Sequence, residues 1–408
     1  MRVAFLIPVF PEIHNTFILN QITGLIDLGH EVHLYPLAVG DYQRAHADVA
    51  AYGLKERVRH IPIPGPHGQR LRKLAGLMTE RSAWRKSVAA SLDPFGGKRT
   101  LSLEAAYTAL SFARQQRYDV IHAQFGHLGD AALAVSSTWG GSGVPVVTSF
   151  RGADTTARLD ENPRFYDKLF QRGALFLPVS EDLKRRLIDH GAPSERTKVH
   201  HSGIALSRFT PNDRAGAKNG HVNALFIGRF VEKKGVQYAL EALALVTDTA
   251  DVTLTLVGDG PLEPELRRRA DELGLAARVD FVGEKNQAGV LEELARADVL
   301  VAPSVTAASG DKEGIPNVAK EAMACALPVL STLHGGIPEL IEDGVSGFLV
   351  PERDVQALAE RLKLLASRPD LRAKLGAAGR EKVAAEFDSK RLNVELVELY
   401  GSLAGGAR

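Results

Sequence analysis

The sequence predicts an α/β protein built from two doubly wound domains that face each other across a cleft. Three observations lead there. Short apolar strand candidates alternate with amphipathic helical stretches, the pattern of parallel sheets covered on both faces. The alternation runs once through the N-terminal half and restarts near residue 222. Between the two series lies a polar stretch, 207–220, rich in Pro, Asn, Asp, Gly and Lys, which reads as a connection between domains.

The first strand is expected over 3–7. Phe17, Ile18, Ile22, Leu25, Ile26 and Leu28 then mark one side of a helix that Gly29 ends. Strands follow at 31–35, 120–123, 144–150 and 174–179. In the second half six strand candidates fall at 222–227, 252–257, 279–282, 299–302, 328–331 and 347–350, with helices of about 10–15 residues between them. A charged helical stretch, 369–400, closes the chain. The expected division is a domain over 1–206, a linker over 207–220, a second domain over 221–376, and a helical segment over 377–408 that packs back across both. In such sheets ligands sit beyond the strand C-termini, which places the site in the cleft.

Composition narrows the function classes. The 408 residues are 45% hydrophobic and 24% charged, the balance of a soluble globular protein, and a formal net charge of +1 offers no field for nucleic acid. A basic stripe with interleaved stacking aromatics is also missing, so no nucleic-acid partner is expected. The single cysteine, Cys325, excludes an intramolecular disulfide and a multi-cysteine metal site, and reads as a small buried hydrophobe. Pro8 and Pro11 cut the N-terminal apolar run too short for a signal-peptide core or a membrane span. The expected location is therefore the cytoplasm. One segment, 70–99, crowds Arg70, Arg72, Lys73, Arg81, Arg85, Lys86, Lys98 and Arg99 around Leu71, Leu74, Leu77, Met78 and Trp84. It reads either as a solvated helical face over a buried stripe or as a basic amphipathic helix. The second reading implies peripheral contact with the inner face of the cytoplasmic membrane.

The chemistry concentrates in the second half. A strand feeds Gly228-Arg229-Phe230-Val231-Glu232-Lys233-Lys234-Gly235, a glycine turn with basic residues. Gly228 lets the backbone approach a diphosphate, Arg229 can chelate two phosphate oxygens, and Lys234 supplies a point charge. Together they suit negative charge growing on a leaving diphosphate. Further on, Glu313-Gly314-Ile315-Pro316-Asn317 leads into a helix that carries Glu321. Pro316 suits a first helical turn. Free N–H groups at the helix start can bind phosphate. Glu313 can accept from sugar hydroxyls, and Glu321 can hold a ribose diol. Read alone, Glu313 is also a favourable charge at a helix N-terminus, and Glu321 an ordinary helix carboxylate.

These pieces, together with Val257-Gly258-Asp259-Gly260-Pro261, Ala302-Pro303-Ser304 and the run from Pro328 through Gly335-Gly336-Ile337-Pro338-Glu339 to Gly347, resemble glycosyltransferase family 4 in order and spacing. The N-terminal half, through Thr16-Phe17-Ile18, Ile121-His122-Ala123-Gln124-Phe125-Gly126, Phe150-Arg151-Gly152-Ala153-Asp154, the 169–174 stretch and Leu177-Pro178-Val179-Ser180, is similar to enzymes that extend exopolysaccharides such as colanic acid. The resemblance implies the GT-B fold of two Rossmann-like domains, acceptor side first and nucleotide-sugar side second. It implies retaining transfer of a hexose from a nucleotide diphosphate sugar to a glycan or lipid-linked glycan. UDP-hexose is the first expectation for the donor and GDP-mannose the second. In that scheme the leaving diphosphate deprotonates the acceptor, so no protein nucleophile is required. No D-x-D motif follows an apolar strand, so no metal and no further cofactor are expected.

Arg229, Lys234, Glu313 and Arg151 are the catalytic candidates. Gly228, Arg229, Lys234, Gly314, Ile315, Pro316, Asn317 and Glu321 are the donor-binding ones. Thr16, His127 and Asp154 are placed on the acceptor side or in the cleft, with Asn15 or Thr16 also suited to a helix N-cap. One departure stands out. The family commonly has His-Gly-x-Asp where this chain has Arg151-Gly152-Ala153-Asp154. Arginine cannot act as a base at neutral pH. His122 and His127 are the nearby candidates to replace that histidine. A protein of the same fold that binds nucleotide sugars without transfer, or one that acts on small molecules, is the alternative. A dehydrogenase is disfavoured, because Gly258-Asp259-Gly260 lacks the third glycine of G-x-G-x-x-G.

Overall fold

The computed structural model describes residues 1–12, 15–59, 68–72, 112, 116–136, 143–211 and 220–405. Most of the basic segment 70–99 and of the connection 207–220 lies outside them. Among the described residues eleven strands form two parallel sheets. The first contains β1 (Arg2–Phe10), β2 (Glu31–Val39), β3 (Val120–Ala123), β4 (Val146–Phe150) and β5 (Leu175–Pro178), in the order β2-β1-β3-β4-β5. The second contains β6 (Val222–Ile227), β7 (Val252–Val257), β8 (Val279–Gly283), β9 (Val299–Ala302), β10 (Val329–Thr332) and β11 (Phe348–Val350), in the order β11-β10-β9-β6-β7-β8. Each expected strand is present, displaced by a few residues at most. The strand order reverses between β1 and β3 and between β6 and β9, and those are the switch points where such folds open a ligand crevice.

Buried strands and amphipathic helices explain the layers. Ala4 and Leu6 of β1 share one core with Ile121 and Ala123, whereas Val3, Phe5 and Ile7 share another with the helix Thr16–Asp27, through Ile18, Ile22 and Leu25. Alternate strand residues therefore serve opposite faces. Leu28, expected on the buried side of that helix, is 43% exposed because it lies at the C-cap, past the last helical residue. In the second half Ala239, Leu240, Leu243 and Val246 lay the helix Val236–Val246 on β6, β7 and β9.

The last two helices divide between the sheets. Helix Pro369–Glu386 packs on the second domain through Leu375 and Val383. Helix Ser389–Gly405 returns to the first, where Leu396 and Tyr400 are fully buried beside Val3, Phe5 and Val120. Asn393 of this helix donates to the Asn20 carbonyl at 3.0 Å. The chain thus crosses between domains twice, and the crossings are tied together. Ile204 N–H donates to Phe387 O at 3.0 Å, and Ser389 N–H donates to Ile204 O at 2.9 Å. No helix among the described residues is long and apolar enough to cross a membrane.

Candidate functional site

Between the C-terminal ends of the two sheets lies a cleft of about 990 Å³. The first domain lines it with Thr16 and Phe17 after β1, His46 after β2, and Arg151 after β4. The second contributes Gly228 and Arg229 after β6, the Lys233–Lys234 pair, Lys285–Gln287 after β8, and Asp311 and Glu313 through Asn317 with Glu321.

Two glycines shape the second domain's wall of the cleft. Gly235 holds a φ of 65°, and a Cβ there would lie 1.9 Å from Pro303 O, so only glycine lets the Glu232–Lys234 turn fold against the loop after β9. Gly335 has a φ of 51°, and its Cβ would lie 2.3 Å from Glu313 O. It brings the loop after β10 flat beneath Glu313. On that platform Lys234 Nζ donates to Glu313 at 3.0 Å, while Lys233 Nζ meets Asp311 at 2.9 Å and Glu313 at 3.3 Å. Burial by itself would raise the Glu313 carboxyl, but the two ammonium groups outweigh it and hold it down to about 2. The fully buried His334, unremarked in the sequence, accepts the Glu313 N–H at 3.0 Å on Nε2 and faces Glu352 at 2.6 Å through Nδ1. That pairing requires the Nδ1–H tautomer and anchors the Glu313 loop. Arg229, by contrast, is exposed, and its guanidinium has no partner among the described residues.

The helix Asn317–Ala324 begins at the cleft with Pro316 as its N-cap residue and no side-chain cap. Glu321 lies half-buried on its cleft side, and burial pushes its carboxyl up to about 7, against the pull of Lys320. The two carboxylates seven residues apart therefore sit in opposite environments, one neutralised by lysines and one desolvated.

Arg151 lies at the cleft floor, and its environment shows why it serves as a fixed cation. Its guanidinium donates to Gln124 O at 3.1 Å, Gln124 Oε1 at 2.6 Å, Ser202 Oγ at 2.7 Å and Gln21 Oε1 at 3.3 Å, and it stacks over Phe17 at 4.3 Å. Burial lowers it to about 10, which leaves it protonated at neutral pH. The adjoining Asp154 does not line the cleft. Its carboxylate accepts the N–H groups of Arg151 at 2.9 Å, Gly152 at 3.0 Å and Gly126 at 2.9 Å, and so shapes the loop. His127 also stays outside the lining, stacked on Phe125. His122 is fully buried, held by Tyr400 at 2.5 Å and Ser149 at 2.8 Å, and it does not reach the cleft. Neither histidine therefore lines the site in place of the missing one.

Sequence reasoning missed a second group of residues, because it assembles over long separations. His46 meets Gln287 across the cleft mouth, and Arg208 contacts both His46 and Asp48. Lys320, in the helix Asn317–Ala324, is fully buried and donates to Ser202 O at 2.6 Å. Among the described residues no group of three or more His, Cys, Asp or Glu is placed to hold a metal ion.

Two Rossmann-like domains with a cation-rich cleft between their strand ends define the GT-B class. The chain matches the family described as Glycosyltransferase Family 4 over residues 14–208, and Glycosyl transferases group 1 over residues 211–382. It is 37% identical to WcaL of Escherichia coli (strain K12), provisionally assigned as a colanic acid biosynthesis glycosyltransferase, over 99% of this chain and 100% of that one. It is 33% identical to the amylovoran biosynthesis glycosyltransferase AmsK of Erwinia amylovora, again over 99% of this chain and 100% of its relative. The protein therefore belongs to glycosyltransferase family 4. Among solved structures, Anabaena Alr3699/HepE in complex with UDP and glucose has the same fold, with a TM-score of 0.75 and 22% identity over 98% of this chain and 100% of that one.

Proposed function

We propose that this glycosyltransferase moves a hexose, with retention, from a nucleotide diphosphate sugar to a hydroxyl of a glycan or lipid-linked glycan in exopolysaccharide-type biosynthesis. UDP is the first choice of nucleotide and GDP-mannose the second choice of donor. The observation that carries this reading is the convergence in one cleft of an exposed Arg229, the Lys233–Lys234 pair on Glu313, a helix start at Asn317 and a desolvated Glu321. The relatives in colanic acid and amylovoran biosynthesis support the acceptor class, and the UDP bound to the Anabaena protein supports the nucleotide.

In this reading residues 1–206 receive the acceptor beside Thr16, residues 221–376 hold the donor, 207–220 link them, and 377–408 brace both. Gly228, Arg229 and Lys234 take the diphosphate, together with the backbone at Gly314, Ile315, Pro316 and Asn317. Glu313 accepts from sugar hydroxyls and Glu321 from the ribose. As the anomeric carbon–phosphate oxygen bond breaks, the departing diphosphate accepts the acceptor hydroxyl proton, and the new carbon–oxygen bond forms on the same face. The cations stabilise the diphosphate charge, so turnover is metal-independent.

Calorimetric titration of UDP, GDP and ADP tests the site. One nucleotide binds in the micromolar range, and Lys234→Ala weakens it at least tenfold. No binding of any of the three would remove the donor assignment and favour a scaffold without transfer. Turnover that EDTA abolishes and Mg²⁺ restores would overturn the metal-free assignment.

A further inference from the structure

We propose that Lys320 is a positioning residue for the transfer, clamping the interdomain crossing and holding Arg151 at the cleft floor through Ser202. The inference rests on the cleft being the transferase site. Lys320 lies in the same helix as Glu321 but points away from solvent, with 0% exposure. Its ammonium donates to Ser202 O at 2.6 Å and lies 5.9 Å from the centre of the Phe387 ring. Those two contacts are the two crossings of the chain between domains, since Ser202 precedes Ile204 and Phe387 carries the carbonyl that Ile204 binds. Ser202 also turns its hydroxyl to Arg151 at 2.7 Å. One serine therefore joins a cation from the donor domain to a cation from the acceptor domain.

The energetics argue against a merely structural lysine. A buried amine with one carbonyl acceptor is costly to keep charged, burial pulling it down to about 7, and an apolar side chain of similar length would fill the same space at less expense. The Glu321 carboxyl draws the amine part of the way back up, and Arg151, a like charge, adds to the penalty. A basic group retained at such a place is best explained by what it holds. Released from Lys320, Ser202 no longer has a set orientation, and Arg151 loses the bond that directs one edge of its guanidinium.

The test is Lys320→Met, compared with Arg151→Gln, the double variant and Ser202→Ala. Thermal unfolding of Lys320→Met should have a midpoint equal to or above that of the wild type. Its nucleotide Kd should stay within about twofold, and KM for the donor should hold, while kcat falls at least tenfold. The double variant should be no slower than Arg151→Gln alone, because the two residues act through one serine. Ser202→Ala, which keeps the carbonyl, should lower kcat in the same direction if Lys320→Met does not fold. A midpoint several degrees below wild type, an unchanged kcat, or additive losses in the double variant would each overturn the proposal. A wild-type protein that neither binds nucleotide nor transfers sugar would instead sink the functional reading, and the thermal comparison would still decide whether Lys320 is a structural residue.

Discussion

At the scale of the residue, the cleft separates two glutamates by their surroundings. Glu313 is held to about 2 by Lys234 and Lys233 against its burial, and Glu321 is raised to about 7 by burial that Lys320 only partly offsets. The signs give different pH dependences. Glu313 stays ionised throughout the physiological range. A carboxyl raised from 4.5 to about 7 is protonated in the folded protein below that value. Its contribution to stability is present below the ordinary value and is lost as pH rises through about 7. The ribose contact proposed for it runs the other way. Nucleotide affinity should increase between pH 6 and pH 8, and Glu321→Gln should remove most of that increase, as calorimetry across the range would show. A variant that keeps the full slope would take Glu321 out of the donor site. The tenfold loss expected of Lys234→Ala corresponds to about 1.4 kcal/mol, a modest figure because Lys233 remains on Glu313. Both glutamates and the basic turn were legible from residue type and spacing. His334 was not, because a buried histidine that anchors a loop leaves no pattern in the chain around it.

At the scale of the element, the helix Ser389–Gly405 separates what periodicity shows from what it cannot. Its apolar positions mark a buried face, but nothing local says which domain receives it. Leu396 is fully buried among the first domain's residues, whereas Val394 is 44% exposed. Leu396→Ala should destabilise the protein by about 2–5 kcal/mol, the usual range for a truncated core leucine, while Val394→Ala should change stability by less than about 0.5 kcal/mol. Denaturant unfolding of the two variants checks the contrast. Equal effects would mean that the helix does not dock as described. The same helix delivers Tyr400 to His122, so a residue near the C-terminus holds a histidine of β3 in place.

At the scale of the whole molecule, the two domains depend on each other's chain. Removing residues 389–408 would uncover the core that Val3, Phe5 and Val120 share with Leu396 and Tyr400. Hydrogen exchange on such a truncated protein should show lost protection in β1, β2 and β3, with β6, β7 and β9 still protected. Uniform loss across both sheets would show instead that the domains unfold as one unit.

The sequence by itself determined the class of fold, the eleven strands of the described residues, and the basic turn and glutamate pair that line the cleft. These are local properties: strand runs, helical periodicity, glycine turns and spacings of a few residues carry them. Tertiary structure decided the rest. It took Asp154, His122 and His127 out of the cleft lining and brought in Phe17, His46, Gln287 and Ser202. It also turned Arg151 from a free cation into one held by four hydrogen bonds. The partners of Arg151 are 27, 51 and 130 residues away, and the hydrogen-bond acceptor of Lys320 is 118 residues away. Contacts of that range depend on how two sheets pack and where the chain crosses between them, and no short window of sequence contains that information.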